Sequence, residues 1–92
     1  MINTKKPGPG DEVEYQQQHL KAILRIKSEE RYDVRVWEEG FAKFEDYVFT
    51  KETQAVEFAT KRIADCETLQ QARSRYFKYM IDISNHQGPS GR

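Results

Sequence analysis

The chain has one thiol, Cys66, two imidazoles, His19 and His86, and three acidic doublets, Glu29-Glu30, Glu38-Glu39 and Glu45-Asp46. These are the residues whose types and spacing invite a chemical reading. A cysteine becomes a nucleophile when a base stands beside it, and a zinc site needs several nitrogen or sulfur donors at short spacing. Neither histidine is near Cys66 in sequence: His19 precedes the first strand pattern and His86 lies in the C-terminal tail. Cys66 itself falls on an apolar helical stripe, where a lone cysteine acts as a small buried hydrophobe. Paired carboxylates can share a proton, but adjacent residues on a strand point to opposite faces, and two of the doublets fall in turns. They read as solvated charges. There is no G-x-S-x-G, P-loop, dinucleotide fingerprint or H-E-x-x-H, and the five glycines lie in the two tails and at Gly40. None opens a phosphate-cradling helix. The expectation is a non-enzymatic protein with no cofactor, no metal and no small-molecule substrate.

The elements that would position any functional side chain follow from hydropathy patterning. At 92 residues the chain makes one small domain with a thin core. "LKAILRIK" alternates Leu20, Ala22, Leu24 and Ile26 against Lys21, Ile23, Arg25 and Lys27, and "YDVRVW" sets Tyr32, Val34 and Val36 against Asp33, Arg35 and Trp37. Period-two alternation of this kind belongs to half-buried strands. The short polar "SEER" between them predicts a hairpin, and Gly40 a turn before a third strand over "KFEDYVF". Thr50 then stands where a helix N-cap is needed, with Glu52 in the first turn, and Val56, Ala59, Ile63 and Cys66 recur at helical spacing with Ala55 and Leu69 on the flanks. "YFKYMIDIS" fits both a strand, through Phe77, Tyr79, Ile81 and Ile83, and a helix, through Tyr76, Met80 and Ile83. Its aromatic and β-branched content favours a last strand. The predicted fold is α+β, a small antiparallel sheet of three to four strands on one main helix. The alternative is an all-α helical hairpin, because Val13, Leu20, Ile23, Val34, Trp37, Phe41, Phe44 and Val48 also fit a heptad frame. That frame puts Lys27 and Glu30 in the seam and Gly40 in mid-helix, at about 1 kcal/mol relative to Ala.

Residues 1–11, with Lys5-Lys6 and "PGPG", predict a flexible arm, 12–85 the domain, and 86–92 a flexible tail. A single cysteine fits a reducing, cytoplasmic setting; no apolar run is long enough to span a bilayer, and the N-terminus lacks a signal-peptide core.

With chemistry set aside, the surface carries the functional reading. Fifteen basic and fifteen acidic residues cancel overall, so any electrostatic role is local. From His19 to Val36 five basic residues, Lys21, Arg25, Lys27, Arg31 and Arg35, face three acidic ones; from Glu38 to Glu57 six acidic residues face two lysines. Lys21, Arg25 and Lys27 share one predicted sheet face, which Arg35 and Trp37 can join and which Arg73, Arg75 and Lys78 can extend. A basic stripe beside an indole suits a phosphate backbone or an acidic protein patch. These nine residues are the candidate partner-binding set. The ordinary alternative is a solvated outer face with Trp37 at its edge.

The run "YDVRVWEEGFAKFEDYVFTKETQAVEFATKRI", residues 32–63, resembles in layout the hairpin-then-helix units of small phage anti-CRISPR proteins that act on type I surveillance complexes. It covers about a third of the chain. The resemblance implies a stoichiometric inhibitor that docks on Cas subunits around the guide RNA, in the host cytoplasm, and obstructs target DNA binding. Those inhibitors share no invariant functional residue, so none is carried over. A second likeness, over Val56 to Asn85 with "LQQARSRYFKYM", is to granule-coating phasins and implies a helical, self-associating module.

Overall fold

Alternation at a period of two becomes strand, and the partner of each strand is its neighbour in the chain. The computed structural model describes residues 8–38, 40 and 42–87, the last two by backbone alone. Strands β1 (Glu12–Gln16), β2 (Leu20–Ser28), β3 (Arg31–Glu38) and β4 (Phe44–Phe49) form an antiparallel meander in the order β1-β2-β3-β4. A helical layer follows: α1 (Glu52–Glu57), a π-helical segment (Phe58–Arg62), a turn over 63–68, and α2 (Leu69–Gln87). The fold is α+β, as predicted, and the sheet removes the all-α alternative together with the premise of the helical coat module.

One face of the sheet meets the helices. Leu20, Ala22, Leu24 and Ile26 of β2, Val34 and Val36 of β3, and Tyr47 and Phe49 of β4 are buried against Ala55, Phe58, Ala59, Ile63, Cys66, Leu69, Ala72 and Tyr79. Phe58 is the centre of this layer, with its ring 5.3 Å from those of Tyr47 and Phe49 and 5.8 Å from that of Tyr76. The buried set matches the expected in-facing residues of β2 and β3, and Cys66 is a fully buried hydrophobe whose thiol burial pushes up.

Four expectations are corrected. β1 was not read as a strand: "EVEYQ" offers only Val13 and Tyr15 to the core, yet its register, Val13 opposite Leu24 and Tyr15 opposite Ala22, makes it the first edge of the sheet. Residues 76–84 lie inside α2 and are not a strand. The deciding signal is local, because Thr68 accepts the Gln71 N–H through Oγ1 at 3.2 Å while the Gln71 side chain accepts the Glu67 N–H at 2.5 Å. A Thr-x-x-Gln pair of this kind fixes the start of a helix, and once started there the helix buries Leu69, Ala72, Tyr76, Tyr79, Met80 and Ile83 on one side. Thr50 is not the cap of α1. That position is Lys51, whose backbone carbonyl receives the Ala55 N–H and whose side chain makes no cap bond. Finally, the domain starts before residue 12 and the helix runs past 85. Gly10 donates to the Ile26 carbonyl at 2.8 Å, Ile26 returns a bond to Asp11, and α2 continues to Gln87. The rest of the expected arm and tail, 1–7 and 88–92, lies outside the described residues.

The turns are set by few residues. Gly40 has φ +84°, the left-handed value that only glycine adopts without strain, and it turns the chain between β3 and β4. The β2–β3 hairpin turns at Glu29-Glu30 after a register shift between Ile26 and Ser28.

Candidate partner-binding surfaces

The strand alternation that buries Leu24 and Val34 sends the other set of side chains to the uncovered face. Register places Lys21 opposite Trp37 and Trp37 opposite Phe44; Ile23 opposite Arg35 and Arg35 opposite Asp46; Arg25 opposite Asp33 and Asp33 opposite Val48. Among the described residues no helix lies over this face.

Lys21, Arg25, Lys27, Arg31, Arg35 and Trp37 therefore share one side of the sheet, as the alternation predicts. Their charges, however, do not stand free. Arg35 grips Asp46 with two parallel bonds, Nε to Oδ1 at 2.8 Å and Nη2 to Oδ2 at 3.1 Å, the forked geometry that suits guanidinium and carboxylate. Arg25 forms an ion pair with Glu12 at 2.9 Å and Arg31 with Asp33 at 3.1 Å. The bond from Arg35 holds the Asp46 carboxyl below its ordinary range. Lys21 and Lys27 make no ion pair among the described residues. With Glu12, Glu14, Asp33 and Asp46 on the same side, five cations face four anions. The basic stripe visible in sequence is balanced in space because β1 and β4 bring acids to it.

The apolar part of the face is the new element. The Trp37 and Phe44 rings lie 4.7 Å apart across the strands, and the Arg35 guanidinium stacks over Phe44 at 3.9 Å from its centroid. Phe44 is 42% exposed and Val48 40%, with half-buried Ile23 nearby. The indole N–H of Trp37 has no hydrogen-bond partner among the described residues. Phe44 and Val48 were not singled out from sequence as contact residues. Their parity, opposite to buried Tyr47 and Phe49, was the signal.

Arg73, Arg75 and Lys78 are elsewhere. They stand on α2, in the layer behind the sheet, so they do not extend the stripe. Arg73 reaches back to β4 and binds Glu45 through both Nε, at 3.2 Å, and Nη2. The Arg73 bond, joined by the Tyr47 hydroxyl donating at 2.5 Å, keeps the Glu45 carboxyl low. Burial, reinforced by that carboxylate, pushes the Tyr47 phenol well above its ordinary value. Arg75 donates to Asp65 at 2.7 and 3.2 Å and to the Arg62 carbonyl at 3.0 Å, closing the turn between the π-helical segment and α2. Lys78 is exposed and has no ion-pair partner among the described residues.

Two of the grooves on the helical layer are lined by described residues. One, of about 600 Å³, runs between α1 and the C-terminal half of α2, where Glu57 accepts from Tyr79 at 3.2 Å and from Arg62 at 3.1 Å. The other, of about 450 Å³, lies between the π-helical segment and α2 and is lined by Lys61, Arg62, Asp65, Arg75, Lys78 and Tyr79. The π-helical segment opens by accepting the Ile63 N–H at Phe58 across five residues, 3.3 Å, while the Ala59 carbonyl takes Gln17 Nε2 at 2.6 Å from the β1–β2 turn. Among the described residues no three of His, Cys, Asp and Glu gather as metal ligands would, and no helix is long and apolar enough to cross a membrane.

No family model, no curated protein and no solved structure matches the chain.

Proposed function

We propose that this is a non-enzymatic binding protein that seats its open sheet face on the protein surface of a larger complex. The observation behind this reading is the Trp37–Phe44 pair, presented on a face that no helix covers among the described residues and flanked by the paired charges Arg35–Asp46 and Arg25–Glu12. Interfaces draw most of their energy from a few aromatic and arginine anchors, with surrounding groups that exclude water. Rim charges set register and encounter rate more than affinity. A nearly balanced face gives little pull on a polyanion, whose binding scales with the number of unneutralised cations. A protein partner fits this face better than a phosphate backbone does.

The layout likeness of residues 32–63 supplies a candidate complex, a type I CRISPR surveillance complex, with this chain as its inhibitor in the host cytoplasm. The test is binding of the purified chain to such a complex assembled with its guide RNA, followed by target DNA binding. Trp37→Ala with Phe44→Ala should abolish association and restore DNA binding, while circular dichroism stays unchanged. Lys21→Ala with Lys27→Ala should slow association with less effect on affinity. Full inhibition by the aromatic double variant would reject the face, and no association by the native chain would reject the complex.

A further inference from the structure

A second group of cations lies on the opposite side of the molecule from the sheet face. The groove between the π-helical segment and α2 is lined by four of them, Lys61, Arg62, Arg75 and Lys78, with one lining carboxylate, Asp65. Arg62 is held from outside the groove by Glu57 at 3.1 Å, and Arg75 by Asp65 at 2.7 Å. Counting both carboxylates, the groove keeps a surplus of two positive charges. That surplus belongs to Lys61 and Lys78, which are exposed and have no ion pair among the described residues. Two opposing elements supply the lysines, and the lining also includes Arg62, held by one bond to Glu57, and Arg75, held by two bonds to Asp65 and one to the Arg62 carbonyl. At about 450 Å³ the space is within the range of small-ligand sites.

We infer that this groove binds a phosphate-bearing anion between Lys61 and Lys78. Ammonium groups on flexible stems close on phosphate oxygens as point charges, and Arg75, anchored on Asp65 and on the Arg62 carbonyl, adds a fixed guanidinium to the lining. Arg75 neutralises Asp65, so the surplus of two charges sets the selectivity: an anion carrying two or more charges meets both lysines at once, whereas a singly charged carboxylate balances only one of them. The phosphate can come from a free diphosphate or from a nucleic-acid strand, and the chemistry of the groove is the same for both. This inference stands apart from the sheet face and from its partner.

Backbone amide shifts of the full chain, followed during titration with inorganic pyrophosphate in about 0.02 M salt, where screening is weak, read the site directly. Saturating shifts are expected at residues 61, 75 and 78, and little change at 21 and 27. Lys61→Ala and Lys78→Ala should each weaken binding by roughly tenfold, while Lys78→Arg retains it. In a second arm a short oligouridylate should move the same amides if a strand is the source, and pyrophosphate should then displace it; silence in that arm assigns a free anion. Linear, unsaturable shifts, shifts matched by sodium chloride at equal ionic strength, or unchanged affinity in the double lysine variant would overturn the site. Both lysines are exposed and have no ion pair among the described residues, so these variants keep the fold.

Discussion

Phe58 has no exposed surface, and its ring touches Tyr47, Phe49, Tyr76 and Tyr79, so it joins β4 to α2 through the π-helical segment. Truncation to alanine is the most informative perturbation of the fold. An aromatic side chain buries about 150–250 Å², which at roughly 25 cal/mol per Å² gives about 4–6 kcal/mol; measured Phe→Ala changes in cores run about 3–5 kcal/mol. A 92-residue domain has a total stability of about 5–14 kcal/mol at typical values per residue. Phe58→Ala therefore removes about a fifth of the stability or more, and it lowers Tm by roughly 12–40 °C at about 4–8 °C per kcal/mol. Phe58→Leu keeps most of the volume and should lose about 1–2 kcal/mol. Urea denaturation followed by far-ultraviolet circular dichroism measures both. A loss below about 1 kcal/mol for Phe58→Ala, at unchanged denaturant slope, would show that the helical layer does not hold the sheet through this ring.

Three further outcomes follow from particular contacts. Thr68→Ala removes the acceptor of the Gln71 N–H and should cost about 1 kcal/mol, with Thr68→Ser nearly neutral; equal loss in both would assign the effect to something other than the cap. Glu45 and Asp46 have lowered carboxyl pKa values in the fold, so their contribution is present above about pH 4 and is lost as pH falls through their folded values; Tyr47 has a raised one, so its contribution is present below about pH 10 and is lost as pH rises above that. A pH series of thermal melts should fall at both ends, with Tyr47→Phe flattening the alkaline limb; a limb unchanged by that substitution would contradict the assignment. Cys66 is fully buried with its thiol pushed up, so a thiol reagent at pH 8 should react on the unfolding timescale and at full rate in urea. Rapid labelling of the native chain would mean that the helical turn opens locally.

Much of the sheet was legible because β2 and β3 alternate cleanly, and their buried residues are the ones that the alternation names. β1 escaped notice since two apolar residues among Glu12, Glu14 and Gln16 give no pattern until Leu24 and Ala22 supply their partners. The helix over 69–87 was misread for a different reason: Phe77, Tyr79, Ile81 and Ile83 satisfy a period of two, while the Thr68–Gln71 signal that breaks the tie sits upstream of them. As for the surface, Lys21, Arg25 and Arg35 were correctly placed together. The neutralisation of Arg25 and Arg35 was not readable, because Glu12 and Asp46 reach them only through strand register. Arg73 and Arg75 answer to partners on other elements, and no spacing rule links them to Glu45 or Asp65.

The meander is complete by residue 49, and everything that covers its apolar side comes later in the chain. A nascent polypeptide thus exposes Leu20, Leu24, Val34 and Val36 uncovered while about thirty-five more residues are made, a matter of roughly 2–7 s at ribosomal speeds. During that interval the sheet is greasy on one side, and its two edge strands are open to other chains. Chaperone demand during synthesis, and inclusion bodies from any version cut short before α2, are the cellular mark of building the floor before the roof.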